Sequence, residues 1–184
     1  MTDTIPVTES LVLEPLVQTH AEALYQLVNT NRQHLRKWLP WVDRMVSEEQ
    51  FKQFTEEAEK RSAGEQDYPY IILHHGEMAG RIGMYNINRQ NQCGSIGYWL
   101  GENFLGKGIV QQSCKAFINY AFTNWNLNRI EIRCGTENHK SRAVPDKLGF
   151  LLEGVIRQAE FVNNHFIDLY CFSMLKEDWV QLPG

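Results

Sequence analysis

The sequence predicts a single mixed α/β domain, and three observations lead to it. Segments of strand period and helix period follow one another as strand, helix, helix, and then strands interrupted by two later helices. No repeat, linker or low-complexity stretch divides the 184 residues, a length that suits one domain with one core. In the middle of the chain a glycine-rich turn joins a strand to a helix. The composition, 43% hydrophobic and 22% charged, supplies enough apolar surface for packing. The expected domain runs over 1–184 with a core from about 9 to 179.

The elements follow in order. Leu11, Val12 and Leu13 open a strand, and Thr19 is placed to cap a helix whose Ala23, Leu24, Leu27 and Val28 recur at helical spacing. Ser47 caps a second helix, with Glu48 and Glu49 favouring its positive end, and Gly64 closes it. Between the two lies the aromatic connector Leu35 to Trp41, which Pro40 keeps from plain helix. Tyr70 to His75 and Met78 to Ile87 form a hairpin about His75-Gly76-Glu77. Ser95 to Leu100 is the next strand, and Gly101 to Gly108 turns the chain into a helix with an apolar stripe at Val110, Cys114, Phe117, Ile118, Ala121 and Trp125. Arg129 to Cys134 alternates as a half-buried strand. A helix from about Asn138 to Leu148 stops at Gly149. Two closing strands, Leu152 to Phe161 and Ile167 to Met174, flank the turn at Asn163-Asn164.

Several function classes are set aside at this point. Cys93, Cys114, Cys134 and Cys171 are scattered without a CxxC pair, which reads as reduced packing residues. His74 and His75 are adjacent on a strand and so point to opposite faces; no metal site is expected. A formal charge of −4 argues against a nucleic-acid partner, and no apolar run approaches the ~20 residues of a membrane span. The first residues lack the basic start and apolar stretch of a secretory signal, so a cytoplasmic protein is expected.

The glycine turn points to an anion. The first N–H groups of a helix have no internal partners and the helix dipole favours negative charge there. Gly106 and Gly108 let the main chain approach that anion without a Cβ in between. From Gly101 the segment imitates a P-loop, with Gly101, Gly106 and Lys107 in place. Gly108 stands where that motif needs the hydroxyl that holds magnesium, which weakens a nucleotide-hydrolase reading.

From Asn103 the same segment reads Asn-x-x-Gly-x-Gly, which resembles the Q/R-x-x-G-x-G/A loop of the GNAT acetyltransferase superfamily, with Asn103 departing at the first position. The stretch from Asn138 through Ser141 to Lys147-Leu148-Gly149-Phe150 resembles that superfamily's later motif, one helix and one strand further on. Trp38 to Trp41, Ile96 to Trp99, Gly106 to Ile109 and Gly154 to Tyr170 extend the resemblance to the RimJ/RimL-type branch, over about Leu11 to Trp179.

The resemblance implies an α/β (α+β) domain whose mixed, mostly antiparallel central sheet splays at the cofactor site and is flanked by helices. It implies an N-acetyltransferase that uses acetyl-CoA, without a metal, on a primary amine. The acceptor would be a protein N-terminus, such as that of a ribosomal protein, or a small molecule such as an antibiotic; a non-catalytic acyl-CoA sensor is the other class, and self-association suits the branch. The cofactor would lie against Tyr98, Trp99, Leu100, Gly106, Lys107, Gly108, Ile109, Val110 and Asn138. Glu160 would be the base, where partial burial raises a carboxyl pKa. Many superfamily members place an acidic tyrosine where this chain has Pro145, so the resemblance shifts the proton donor for the leaving thiolate to Ser141. Pro145 itself is expected near the first helical turn, where a missing N–H costs little. Trp38 and Trp41 would line the acceptor mouth.

Overall fold

The computed structural model describes residues 3–181. Its eight strands form one open sheet in the order β1-β2-β3-β4-β5-β6-β8-β7. The strands are β1 (Ile5–Thr8), β2 (Leu11–Pro15), β3 (Tyr68–His74), β4 (Glu77–Asn88), β5 (Cys93–Leu100), β6 (Arg129–Gly135), β7 (Leu151–Val162) and β8 (His165–Leu175). The helices are α1 (Ala21–Thr30), the short α2 (Arg32–Leu35), α3 (Glu48–Ala63), α4 (Ile109–Asn124), α5 (His139–Lys147) and α6 (Lys176–Gln181). Neighbouring strands pair antiparallel except β5 and β6, which are parallel and joined through α4, because parallel neighbours need a crossover connection.

Helices cover both faces of the sheet. Cys114, Phe117, Ile118 and Ala121 of α4 pack on Ile82, Met84, Ile96 and Ile132. Leu24 and Val28 of α1 and Phe51 and Ala58 of α3 pack on Ile71 from the opposite side. No helix among the described residues is long and apolar enough to cross a membrane.

Ser47 caps α3 as its sequence predicts: its hydroxyl accepts from the Gln50 N–H while the Gln50 side chain accepts from the Ser47 N–H. Gly149 ends α5 in a left-handed conformation, φ +75°. Four local expectations are corrected. Thr19 does not cap α1; it lies in a 3-10 turn, Gln18–His20, whose entry is tied by the Val17 N–H donating to His20 Nδ1. His75 adopts φ +53° at the hairpin turn, which breaks strand alternation, so the His74 and His75 rings meet edge-on, 4.4 Å apart, and do not point to opposite faces. Strand β1 and helix α6 are additional elements; each is too short for a hydrophobic period to declare it. Pro145 lies in the last turn of α5 rather than the first, with a consequence for the site.

Candidate active site

The sheet opens where β5 leaves β6. The two strands pair only from Cys93 opposite Arg129 to Ile96 opposite Ile132. Beyond that point Gly97 to Leu100 stay with β4, while Arg133 to Gly135 stay with β8. The β6-facing backbone groups of Gly97 to Leu100 therefore have no strand partner, and a ligand lying there meets N–H and C=O groups ready to pair. A cavity of about 1040 Å³ occupies the opening.

At its far end the chain turns through Gly106 and Gly108, both left-handed at φ +75° and +74°. No atom lies within 4 Å of where a Cβ on Gly106 would be, so the turn presents bare main chain. Gly108 is the N-cap of α4, and Gln112 is the first residue to donate back, to the Gly108 carbonyl at 3.0 Å. The preceding N–H groups of the turn stay open for an anion. Gly106, Gly108, Ile109 and Val110 line the cavity; Lys107 is not among its lining residues, and its ammonium lies 5.6 Å from the centre of the Phe104 ring.

Asn138 caps α5, its side-chain oxygen accepting from the Ser141 N–H at 3.2 Å. Pro145 has no N–H for the carbonyl one turn earlier, which is that of Ser141. Tyr98, across the opening on β5, supplies the missing donor: its hydroxyl donates to the Ser141 carbonyl at 2.9 Å. The Ser141 hydroxyl in turn lies 3.4 Å from the Tyr98 oxygen. Burial pushes the Tyr98 pKa well above its ordinary value, so it keeps its proton and remains a donor. The proline that displaces the superfamily's usual tyrosine thus creates a docking point for a different tyrosine.

Glu160 reaches the cavity from β7 through a bulge. Ile156 faces Leu169 and Glu160 faces Ile167, so β7 has extra residues over this stretch. The bulge is held by Gln158, at φ +48°, whose N–H donates to Asp168 Oδ1 at 2.8 Å. Half-buried beside the Ile167 strand, Glu160 has its pKa raised by desolvation alone. The aromatic connector spans the mouth: the Trp38 ring lies over Gly135 of β6, and Trp41 meets Trp99 of β5 at 6.1 Å. The Asn163 side chain ties the β7–β8 turn to the connector through the Lys37 carbonyl.

Of the residues singled out in the sequence, Trp38, Trp41, Tyr98, Trp99, Leu100, Gly106, Gly108, Ile109, Val110, Asn138, Ser141 and Glu160 all border this one cavity, and Lys107 does not. Two features escaped sequence reasoning. Cys134 lines the cavity, its thiol pushed up to about 11 by burial, where only a packing role was expected. Arg81 lines it too, from the interior of β4; its one signal was a lone cation among Ala79, Gly80, Ile82 and Gly83.

Comparisons with known proteins show the family to which the chain and its fold belong. The acetyltransferase (GNAT) domain family matches residues 10–151. The chain is 34% identical to a putative ribosomal N-acetyltransferase, YdaF, of Bacillus subtilis, covering 96% of this chain and 97% of the relative. It is 33% identical to the ribosomal-protein-serine acetyltransferase of Escherichia coli, covering 95% and 98%. Among solved structures it superposes, with a TM-score of 0.92 and 31% identity over 96% of this chain and 99% of the other, on RimL, a ribosomal L7/L12 α-N-protein acetyltransferase in complex with coenzyme A as a cysteine disulfide. The microcin C7 self-immunity acetyltransferase MccE, in complex with acetyl-CoA and AMP, gives a TM-score of 0.87 at 31% identity over 92% and 94%. A splayed sheet, a left-handed glycine turn and an extensive match at both levels converge: the chain is an N-acetyltransferase of the GNAT family, in its RimJ/RimL-type branch.

Proposed function

We propose that the cleft transfers acetyl from acetyl-CoA to the free N-terminal amine of a protein substrate, with Glu160 as base and Ser141 as proton donor. The observation that supports this most is the meeting, in one cavity, of a desolvated carboxylate, a positioned hydroxyl and an anion-binding glycine turn. When bound, acetyl-CoA supplies the thioester acetyl group, its pyrophosphate suited to the Gly106–Gly108 turn and its arm to the open edge of Gly97 to Leu100.

Each protein group then has a chemical task. Glu160 takes a proton from the incoming ammonium, directly or through water, because only the neutral amine attacks; its raised pKa makes it a better base than a solvated carboxylate. The unpaired N–H groups of β5 face the opening where negative charge develops on the carbonyl oxygen. As the C–S bond breaks, Ser141 Oγ passes its proton to the departing sulfur and regains one from the newly acylated nitrogen, so that CoA leaves as the thiol and the serine ends neutral. The Tyr98 bond to the Ser141 carbonyl holds the serine over the cleft.

Mass spectrometry on peptides with free N-termini, peptides blocked at the N-terminus, and small amines tests this. We expect a single acetyl on the α-amine of free peptides only. Acetylation of small amines alone, or no transfer to any peptide, overturns the reading.

A further inference from the structure

We propose that Arg81 binds a carboxylate of the acceptor, so that this transferase selects amines presented on acidic molecules, acidic N-terminal peptides first among them. The inference rests on the acetyl-transfer reading above and names the acceptor class for the same cleft.

Arg81 occupies the interior of the sheet, opposite Ile71 on β3 and Trp99 on β5. It is only 8% exposed. Nη2 donates to the Tyr85 hydroxyl at 3.1 Å, and the guanidinium carbon lies 4.6 Å from the centre of the Phe54 ring. Among the described residues no carboxylate comes within 4.0 Å of it, and the buried Nε has no hydrogen-bond partner. A guanidinium cannot shed its proton to escape burial, so a cation in this position is costly unless an anion meets it.

The surroundings are built around this group. The Tyr85 ring lies on a glycine floor made by the register pair Gly83 and Gly97. A Cβ on Gly83 would fall 2.5 Å from the Tyr85 oxygen, and one on Gly97 would fall 3.3 Å from the ring. Both glycines therefore leave room for the tyrosine whose hydroxyl engages Arg81. Phe54, Trp41, Trp99 and Met45 line the same side of the cavity, on the α1/α3 face that the connector covers. Arg133 already pairs with Glu131 at 2.7 Å, and Lys140 and Lys147 stand on the α5 side, so among the described residues Arg81 is an unneutralised cation on the acceptor side.

The ligand chemistry follows from the charge and shape. One planar guanidinium is matched by one planar monoanion, which a carboxylate supplies with two oxygens. A phosphate dianion would bring a second negative charge into a cavity whose lining already includes Glu160. A polyamine would add cations beside a buried cation, so the geometry disfavours it.

The test uses synthetic peptides with a free N-terminal serine and an amidated C-terminus, bearing Glu or Gln at position 2, 3 or 4, with acetyl-CoA and the full chain. At one position the Glu peptide is expected to show roughly ten- to a hundredfold higher kcat/KM than its Gln counterpart. Short Gln peptides compared as free acid and as amide separate a side-chain carboxylate from a terminal one; preference for the free acid supports the proposal with the second source. Arg81→Met is expected to bring the ratio to about one, and Arg81→Lys to leave part of it. The wild-type ratio decides the matter even where a variant fails to fold. Equal kcat/KM for all pairs, or a preference that survives Arg81→Met, overturns the proposal. If no peptide is acetylated, the transfer reading fails by itself. The same pairs titrated onto the CoA-saturated protein by tryptophan fluorescence, which Trp41 and Trp99 report, still decide this one: tighter binding of the Glu peptide supports it and equal affinity sinks it.

Discussion

The two walls of the cleft are made of different material. The wall proposed for the cofactor is main chain: an unpaired strand edge at Gly97 to Leu100, a turn with two left-handed glycines, and the start of α4. The wall proposed for the acceptor is side chain: Trp38, Trp41, Trp99, Phe54, Arg81 and Glu160, contributed by the connector, α3, β4, β5 and β7. A common cofactor can be bound by backbone groups that every residue has, so the sequence there is constrained by conformation. An acceptor that differs between relatives must be read by side chains, which can change without disturbing the fold. The two walls should therefore fail in different ways when altered.

The largest effect is expected at Glu160. Glu160→Gln should lower kcat about 10²- to 10⁴-fold and leave acetyl-CoA binding by calorimetry intact. Because burial raises its pKa, the wild-type kcat/KM should fall with acidification at a pH above the ordinary carboxylate range of about 4.3, and this limb should vanish in the variant. A limb that persists unchanged would assign the base to another group. Ser141→Ala is expected to cost less, about tenfold in kcat, since water can replace part of a hydrogen bond to sulfur.

A change on the cofactor wall should show in a different constant. Gly108→Ala puts a side chain at φ +74°, with its Cβ 3.3 Å from Gln112 Nε2. It should destabilise the fold by about 1 kcal/mol and raise KM for acetyl-CoA several-fold, measured by thermal unfolding and initial rates. If the acceptor KM rose instead, the separation of the walls would be wrong.

The smallest effect lies outside both walls and serves as a control. Arg129 bridges Glu131 at 2.9 Å and Glu153 at 2.6 Å, and its hydrogen bonds hold the Glu153 carboxyl at about 2. A carboxyl depressed in the folded state contributes stability that is present above its unfolded pKa and lost as pH falls toward 2. Arg129→Ala should flatten the fall in unfolding midpoint between about pH 4.5 and pH 2, with little change in turnover at neutral pH.

Most of the sheet was legible from alternation, but the places where it bends were not. The Glu160 bulge depends on Asp168 of the neighbouring strand accepting from Gln158, a pairing that no local pattern encodes. The Tyr98–Ser141 contact joins residues far apart in sequence, so no local pattern encodes it, whereas the place of Pro145 in the last turn was already implicit in a helix from Asn138 to Leu148. Arg81 reads as an ordinary strand arginine in the sequence, and only the packing of Phe54 and Tyr85 on it shows that it is buried.

By itself the sequence determined the glycine turn, the Ser47 cap, the Gly149 stop and the order of the longer elements, because left-handed glycines, caps and hydrophobic period act through neighbours a few residues apart. Tertiary structure alone decided which groups face the cavity. The splay of β5 from β6, the register of β7 on β8, and the burial of Arg81 without an anion depend on long-range packing, and burial and proximity are what set charge and proton affinity.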